Sequence, residues 1–112
     1  MSIRIPAAST NASASDVLFD ALGQEILAEK AAALGRAGER AALCLAKLRA
    51  HDADHTGESD KQDPLRRRLL QEAAEAVHAW FIQRELCGLR RHEPVIRDLG
   101  IPAEVLVRLG AK

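Results

Sequence analysis

The chain has 112 residues, enough for one domain with a modest core, and its 16 basic and 16 acidic side chains cancel to a formal net charge of zero. Hydrophobic residues make up 47%, which favours a folded protein over a disordered one; the balanced charge gives no electrostatic hold on a polyanion, so nucleic acid is an unfavoured partner. The opening "MSIRIPAASTNASASD" has no apolar run of signal-peptide length, and no stretch approaches the ~18 apolar residues of a membrane span. The expectation is a cytoplasmic protein, off the membrane, with its two thiols Cys44 and Cys87 reduced.

Much of the apolar fraction is alanine, and only Phe19, Trp80 and Phe81 are aromatic. Ala, Leu, Glu, Arg and Gln are strong helix formers, β-branched residues are sparse, and no run alternates with period two, so the fold class expected is all-α. Charge is unevenly spread. Residues 1–63 hold 7 basic and 10 acidic side chains, a net of −3, and residues 64–112 hold 9 and 6, a net of +3. Such an asymmetry can help two chains meet head to tail.

Residues 1–14 are small and polar and read as a disordered arm, leaving residues 15–112 as a single helical domain. Ser15 or Asp16 can cap a helix running to about His51, roughly 50 Å at about 1.5 Å per residue. Along it Leu27, Ala31, Leu34, Gly38, Ala41, Leu45 and Leu48 alternate spacings of 4 and 3, an unbroken a/d seam. Phe19, Leu22 and Ile26 form a neighbouring stripe upstream. Gly35 and Gly38 mean either a kink or a close approach of another helix; the seam keeps its phase through Gly38, which favours close packing.

"DADHTGESDKQD", residues 52–63, resembles a calcium loop, with Asp52, Asp54, Thr56, Asp60 and Asp63 as candidate ligands and Gly57 at the turn. Ser59 stands where an apolar residue belongs, Asp63 is a methylene shorter than the expected Glu, and no second loop exists, so a solvated acidic connector is preferred and a divalent-cation-responsive module is kept as an alternative. His51 and His55 have a spacing that can chelate zinc on a helix, but they read as exposed histidines at a fraying end.

Asp63 and Pro64 open a second helix. Its face of Leu65, Leu69, Leu70, Ala73, Ala74, Val77, Phe81 and Leu86, flanked by Trp80 and Ile82, is broader than a two-helix contact requires, and Gly88 is a plausible stop. The triplet Arg66–Arg68 reads as a solvated face, and His78, Arg84 and Glu85 as structural hydrogen-bonding groups. A short connector makes the two helices an antiparallel hairpin in which partner numbers sum to about 115, which sets Cys44 and Cys87 too far apart to bond.

Two short helices follow, "HEPVIRDLG" with Pro94 near its start and Gly100 at its stop, and "IPAEVLVRLG" with Pro102 and Gly110 in the same roles. Together residues 93–110 look like a helix-turn-helix, the basis of an alternative DNA-binding reading. A reading helix that offers Ala103, Glu104, Val107 and Arg108 is poorly suited to phosphates.

"FIQRELCGLRRHEPVIRDLGIPAEVLVRLG" resembles the C-terminal signature of a small bacterial helical family of unknown function, with a QREL-C-GL run and a terminal GIP-EVL-RLG run. "LGRAGER" in the first helix is similar too, so the resemblance spans roughly residues 16–112. It implies an all-helical single domain and carries no activity.

The architecture expected is therefore a long antiparallel helical hairpin with two short C-terminal helices, completed as a dimeric helical bundle. No nucleophile motif, phosphate loop or metal triad points to an enzyme, and no cofactor is implied. The function expected is that of an interaction or scaffold protein forming a homodimer or meeting another protein, with Leu27, Ala31, Leu34, Gly38, Ala41, Leu45, Leu48, Trp80 and Phe81 at the interface.

Overall fold

A computed structural model describes residues 13–55 and 63–111, which form four helices and no strand. They are α1 (Ala14–Asp54), α2 (Pro64–Leu86), α3 (Glu93–Leu99) and α4 (Ala103–Leu106). The all-α expectation holds, as does the pairing of a long helix with a second one. By its internal contacts the chain divides into two compact units, Met1–Ala31 and Ala32–Lys112.

The described part of the first unit is the N-terminal stretch of α1. Its cap is Ser13, two residues ahead of Ser15 and three ahead of Asp16, the caps expected from the sequence. Ser13 Oγ accepts from the Asp16 amide at 3.1 Å, and the Ser13 amide donates back to Asp16 Oδ2 at 3.4 Å. This reciprocal capping box satisfies two donors at once and lets the helix start at Ala14. Most of the expected 1–14 arm, residues 1–12, lies outside the described residues.

In the second unit, Ala32–Asp54 pairs with α2. The contacts run in opposite order along the two helices: Gly38 meets Trp80, His51 meets Asp63 and Asp52 meets Arg66. That order makes the hairpin antiparallel, close to the expected register. α1 passes through Gly35 and Gly38 without a break. The reason for a small residue at Gly38 is steric, since a Cβ there would stand 3.1 Å from Trp80 Nε1. Gly38 is the slot in which the indole lies.

Ala41, Cys44, Leu45 and Leu48 of α1 meet Leu70, Ala73, Ala74, Ala76, Val77, Trp80 and Phe81 of α2 in the core, which Ile101 and Val105 close from the C-terminal side. The alanines let the helices approach closely, so a chain with three aromatic residues can still fill its interior. Asp63 caps α2 as expected, accepting from the Leu65 amide at 3.0 Å, with Pro64 at the first helical position.

The C-terminal helices are set by two glycine turns. Gly88 (φ 87°) and Gly100 (φ 60°) lie in the left-handed region. Beyond them the Leu89 amide reaches the Arg84 carbonyl at 2.9 Å and the Ile101 amide reaches the Ile96 carbonyl at 3.0 Å. This six-to-one bond needs a positive φ at the preceding residue, and glycine adopts it without a Cβ clash. α3 lays Val95, Ile96 and Leu99 on the core, and α4 packs on α2 with Val105 fully buried. Arg49 of α1 donates to the carbonyl of Leu99 at the end of α3, a favourable place for a cation. Neither Cys44 nor Cys87 is in a disulfide.

Candidate functional site

Three groups of residues could carry function: two polar clusters in the second unit and an apolar stripe in the first.

The first cluster centres on Arg66, which the sequence suggested was solvated. Its side chain is instead only 12% exposed. Nε and Nη2 donate to Asp52 Oδ1 and Oδ2 at 2.8 and 3.0 Å, and Nη1 and Nη2 donate to Glu104 Oε2 and Oε1 at 3.0 and 2.7 Å. The guanidinium is thus held on two sides by carboxylates from α1 and α4, in the planar fork geometry that suits arginine. Its hydrogen bonds hold the Asp52 carboxyl below the usual range and push the Arg66 pKa upward. Position could have given this away. Arg66 lies one turn before Leu70 on the core-facing side of α2, whereas Arg67 and Arg68 are exposed.

Beside it, His51 is buried at 7% exposure, not exposed as expected. α1 runs on to Asp54, so His51 falls one turn after Leu48 on the same inward face. Its Nε2 is 3.0 Å from Asp63 Oδ2, which accepts from it; Nδ1 is buried without a hydrogen bond, 3.6 Å from Asp52 Oδ1. His55 stacks on His51 at 4.2 Å and donates from Nδ1 to the His51 carbonyl at 2.8 Å. The Leu65 amide, followed by the His51 ring, holds the Asp63 carboxyl below its usual range.

These contacts bear on the two metal readings. Of the calcium-loop candidates, Asp52 is engaged by Arg66, and Asp63 by His51 and the Leu65 amide. Asp54 is exposed at the last residue of α1, and Thr56 and Asp60 lie outside the described residues. Among the described residues no three His, Cys, Asp or Glu side chains converge on a metal position. A guanidinium in the carboxylate fork of Asp52 competes directly with any cation there.

The second cluster pins the connector between α2 and α3. Arg84 donates from Nε to His92 Nδ1 at 3.1 Å and from Nη2 to the Arg91 carbonyl at 2.7 Å. His92 Nε2–H donates to Glu85 Oε2 at 2.9 Å, and the imidazole stacks flat on Phe81 at 4.1 Å. Both ring nitrogens of His92 are thus occupied. Arg84, Glu85 and His92 therefore clamp the connector to the end of α2. In the former helix-turn-helix candidate, α4 has only four residues, with Val105 buried and Glu104 on Arg66.

A hollow of about 390 Å³ lies beside α2, lined by Glu75, His78, Ala79, Ile82, Gly110 and Ala111. Gln71 Nε2 donates to the Ala111 carbonyl at 3.1 Å along its edge.

The apolar stripe is of a different kind. Leu18, Phe19, Leu22, Ile26 and Leu27 are between 44% and 70% exposed. Leu18, Leu22 and Ile26 form one i, i+4 row, and Phe19, Gly23 and Leu27 form the next, so all share one side of α1. The expected interface residues are thereby separated. Ala41, Leu45, Leu48, Trp80 and Phe81 lie inside the chain's own core, Leu34 and Gly38 are half-buried, and Leu27 and Ala31 are exposed.

No helix among the described residues is long and apolar enough to cross a membrane. No curated protein and no solved structure matches the chain. A family model, described as a family of unknown function (DUF6665), matches residues 1–112, and the chain belongs to that family.

Proposed function

We propose that this is a non-enzymatic helical interaction protein, acting as a scaffold or adaptor that is docked through the N-terminal stretch of α1. The observation that carries the reading is the stripe Leu18, Phe19, Leu22, Ile26 and Leu27, five large apolar side chains at 44–70% exposure on one side of one helix. Single exposed leucines are ordinary, but a contiguous apolar row is a typical docking surface. The polar groups of the second unit support the same reading from the other side. Arg66 is held by Asp52 and Glu104, and Arg84 and His92 are held by each other, the Arg91 carbonyl and Glu85, in two separate clusters.

A stripe with Asp16, Asp20, Glu25 and Glu29 along its helix, against Lys30 alone, favours a protein surface over phosphates. The test is a quantitative capture from its own cell extract, with the full chain as bait beside Leu22→Glu/Ile26→Glu. The expected result is a set of stable associations, copies of the chain included, that the variant loses. Identical profiles for the two baits would overturn the reading.

A further inference from the structure

We propose that the occupant of the stripe is the stripe of a second copy, the two helices crossing antiparallel with Gly23 at the two-fold axis. The inference rests on the interaction reading above and names its partner.

Gly23 sits in the middle of the stripe, and a Cβ built on it meets no atom within 4 Å. Around it Phe19, Asp20, Gly23, Gln24, Ile26 and Leu27 line an open hollow of about 490 Å³. A missing side chain flanked by large apolar ones is a hole that a knob from a facing helix can enter. In an antiparallel pair about Gly23, Phe19 of each copy comes beside the partner's Leu27, and each can lean into the other's hollow.

Charge selects the direction. In a parallel, in-register pair Asp16 and Asp20, which lie on the Gly23 side of the helix, would each face its own copy, a repulsive arrangement. Antiparallel about Gly23, no acid faces an acid. Asp16 comes opposite the partner's Lys30, and by symmetry this happens twice. Asp20 comes opposite Ile26, while Glu25 and Glu29 lie on the side of the helix away from Gly23. A two-fold axis also requires a patch to be complementary to itself, and this one is.

The area is adequate for a reversible dimer. At roughly 80 Å² for each large apolar side chain, five give about 400 Å² per copy. The aliphatic stems of Gln24 and Lys30 add to it. Two copies then bury about 800 Å² of large apolar side chain plus these stems, which sits below the ~1,200 Å² lower end of stable interfaces, in the range of weak, reversible contacts.

The experiment is sedimentation of the full chain from about 1 to 200 μM, native beside variants. The native chain is expected to dimerise within that range. Gly23→Gln fills the hollow while improving helix propensity, so it is expected to weaken the dimer at least about 10-fold with no loss of helix by circular dichroism. Asp16→Lys and Lys30→Asp are each expected to weaken it about 5-fold, and the double exchange to restore it to within about 3-fold. Asp16 also belongs to the capping box, so the restoration by Lys30→Asp is the informative arm.

A native chain that stays monomeric throughout overturns the self-pairing, while stripe-dependent capture of another protein would leave the interaction reading standing. A dimer indifferent to Gly23→Gln and to Leu22→Glu forms through another surface and overturns it too. A stripe-dependent dimer in which the double exchange restores nothing overturns the antiparallel register.

Discussion

The two halves of α1 are built from the same residue types at the same helical spacings and end in opposite environments. Leu18, Leu22 and Ile26 repeat every fourth residue and are exposed; Ala41, Leu45 and Leu48 repeat at four and three and are buried to within 2%. Periodicity identifies an apolar face but does not say what covers it. The cover for Ala41–Leu48 comes from α2, which at 23 residues is much shorter than the 41 of α1. An antiparallel partner can line only about its own length of a helix.

The sharpest way to break the comparison is to make the same truncation in both halves. Leu45→Ala removes a side chain that is 1% exposed and leaves a hole in the core. It is expected to cost about 2–5 kcal/mol in denaturant unfolding, with the slope of the transition unchanged. Leu22→Ala, measured at the lowest working concentration, is expected to shift stability by less than about 0.5 kcal/mol. Equal costs would mean that Leu22 has a buried environment of its own in solution.

A second contrast uses charge. Arg66→Met leaves Asp52 and Glu104 without their common donor, at an expected cost of about 1–2 kcal/mol near neutral pH, since both carboxylates are partly exposed and can rehydrate. The pH dependence gives the sign. The Asp52 carboxyl is held below its ordinary value in the folded chain, chiefly by its hydrogen bonds from Arg66. A lowered carboxyl stabilises the fold fully above its unfolded value of ~3.9, and that contribution disappears as the pH falls from there through the lowered folded value. Native stability should therefore fall more steeply than that of Arg66→Met between about pH 5 and pH 2. Parallel curves would show that the ion pairs contribute nothing to folding.

Much of this fold was legible because its signals are local. Asp63–Pro64 marked the start of α2, and Gly88 and Gly100 marked helix stops, since each solves a backbone problem that few other residues can. The seam through Gly38 indicated close packing, and the indole of Trp80 lies against it. What could not be read were properties of the third dimension. Arg66 in an arginine triplet looks solvated until α4 brings Glu104 to it from 38 positions away. His51 looked terminal because the acidic run after it resembles a loop, although α1 extends through Asp54 and carries the ring inward. The stripe was visible as residues but not as a surface, because sequence does not say how far a partner helix reaches.

The two glycines in "LGRAGER" give a smaller and more precise contrast. Both lie within α1, where glycine costs about 1 kcal/mol relative to alanine. A Cβ at Gly35 would meet nothing within 4 Å, so Gly35→Ala is expected to stabilise by about 0.5–1 kcal/mol. At Gly38 the same Cβ would press on Trp80 Nε1 at 3.1 Å, and the indole is only 8% exposed with little room to yield. Gly38→Ala should therefore gain less or lose outright. If both variants stabilise equally, the slot at Gly38 is looser than the packing indicates.

The smallest expected effect lies at the very start of α1, where Ser13→Ala removes the hydroxyl that accepts from the Asp16 amide. Loss of a cap costs about 0.5–2 kcal/mol locally. The stripe residues just beyond it are exposed, so the helix there depends more on local terms than Leu45–Leu48 does. Global unfolding should barely register the change, because the core does not begin until Ala41. Amide exchange from Val17 to about Leu22 should quicken, and any association through the stripe should weaken by roughly 2- to 10-fold, because the ordering lost in the free helix must be recovered on docking. Faster exchange without weaker association would mean that the docked surface begins further along α1, nearer Ile26 and Leu27.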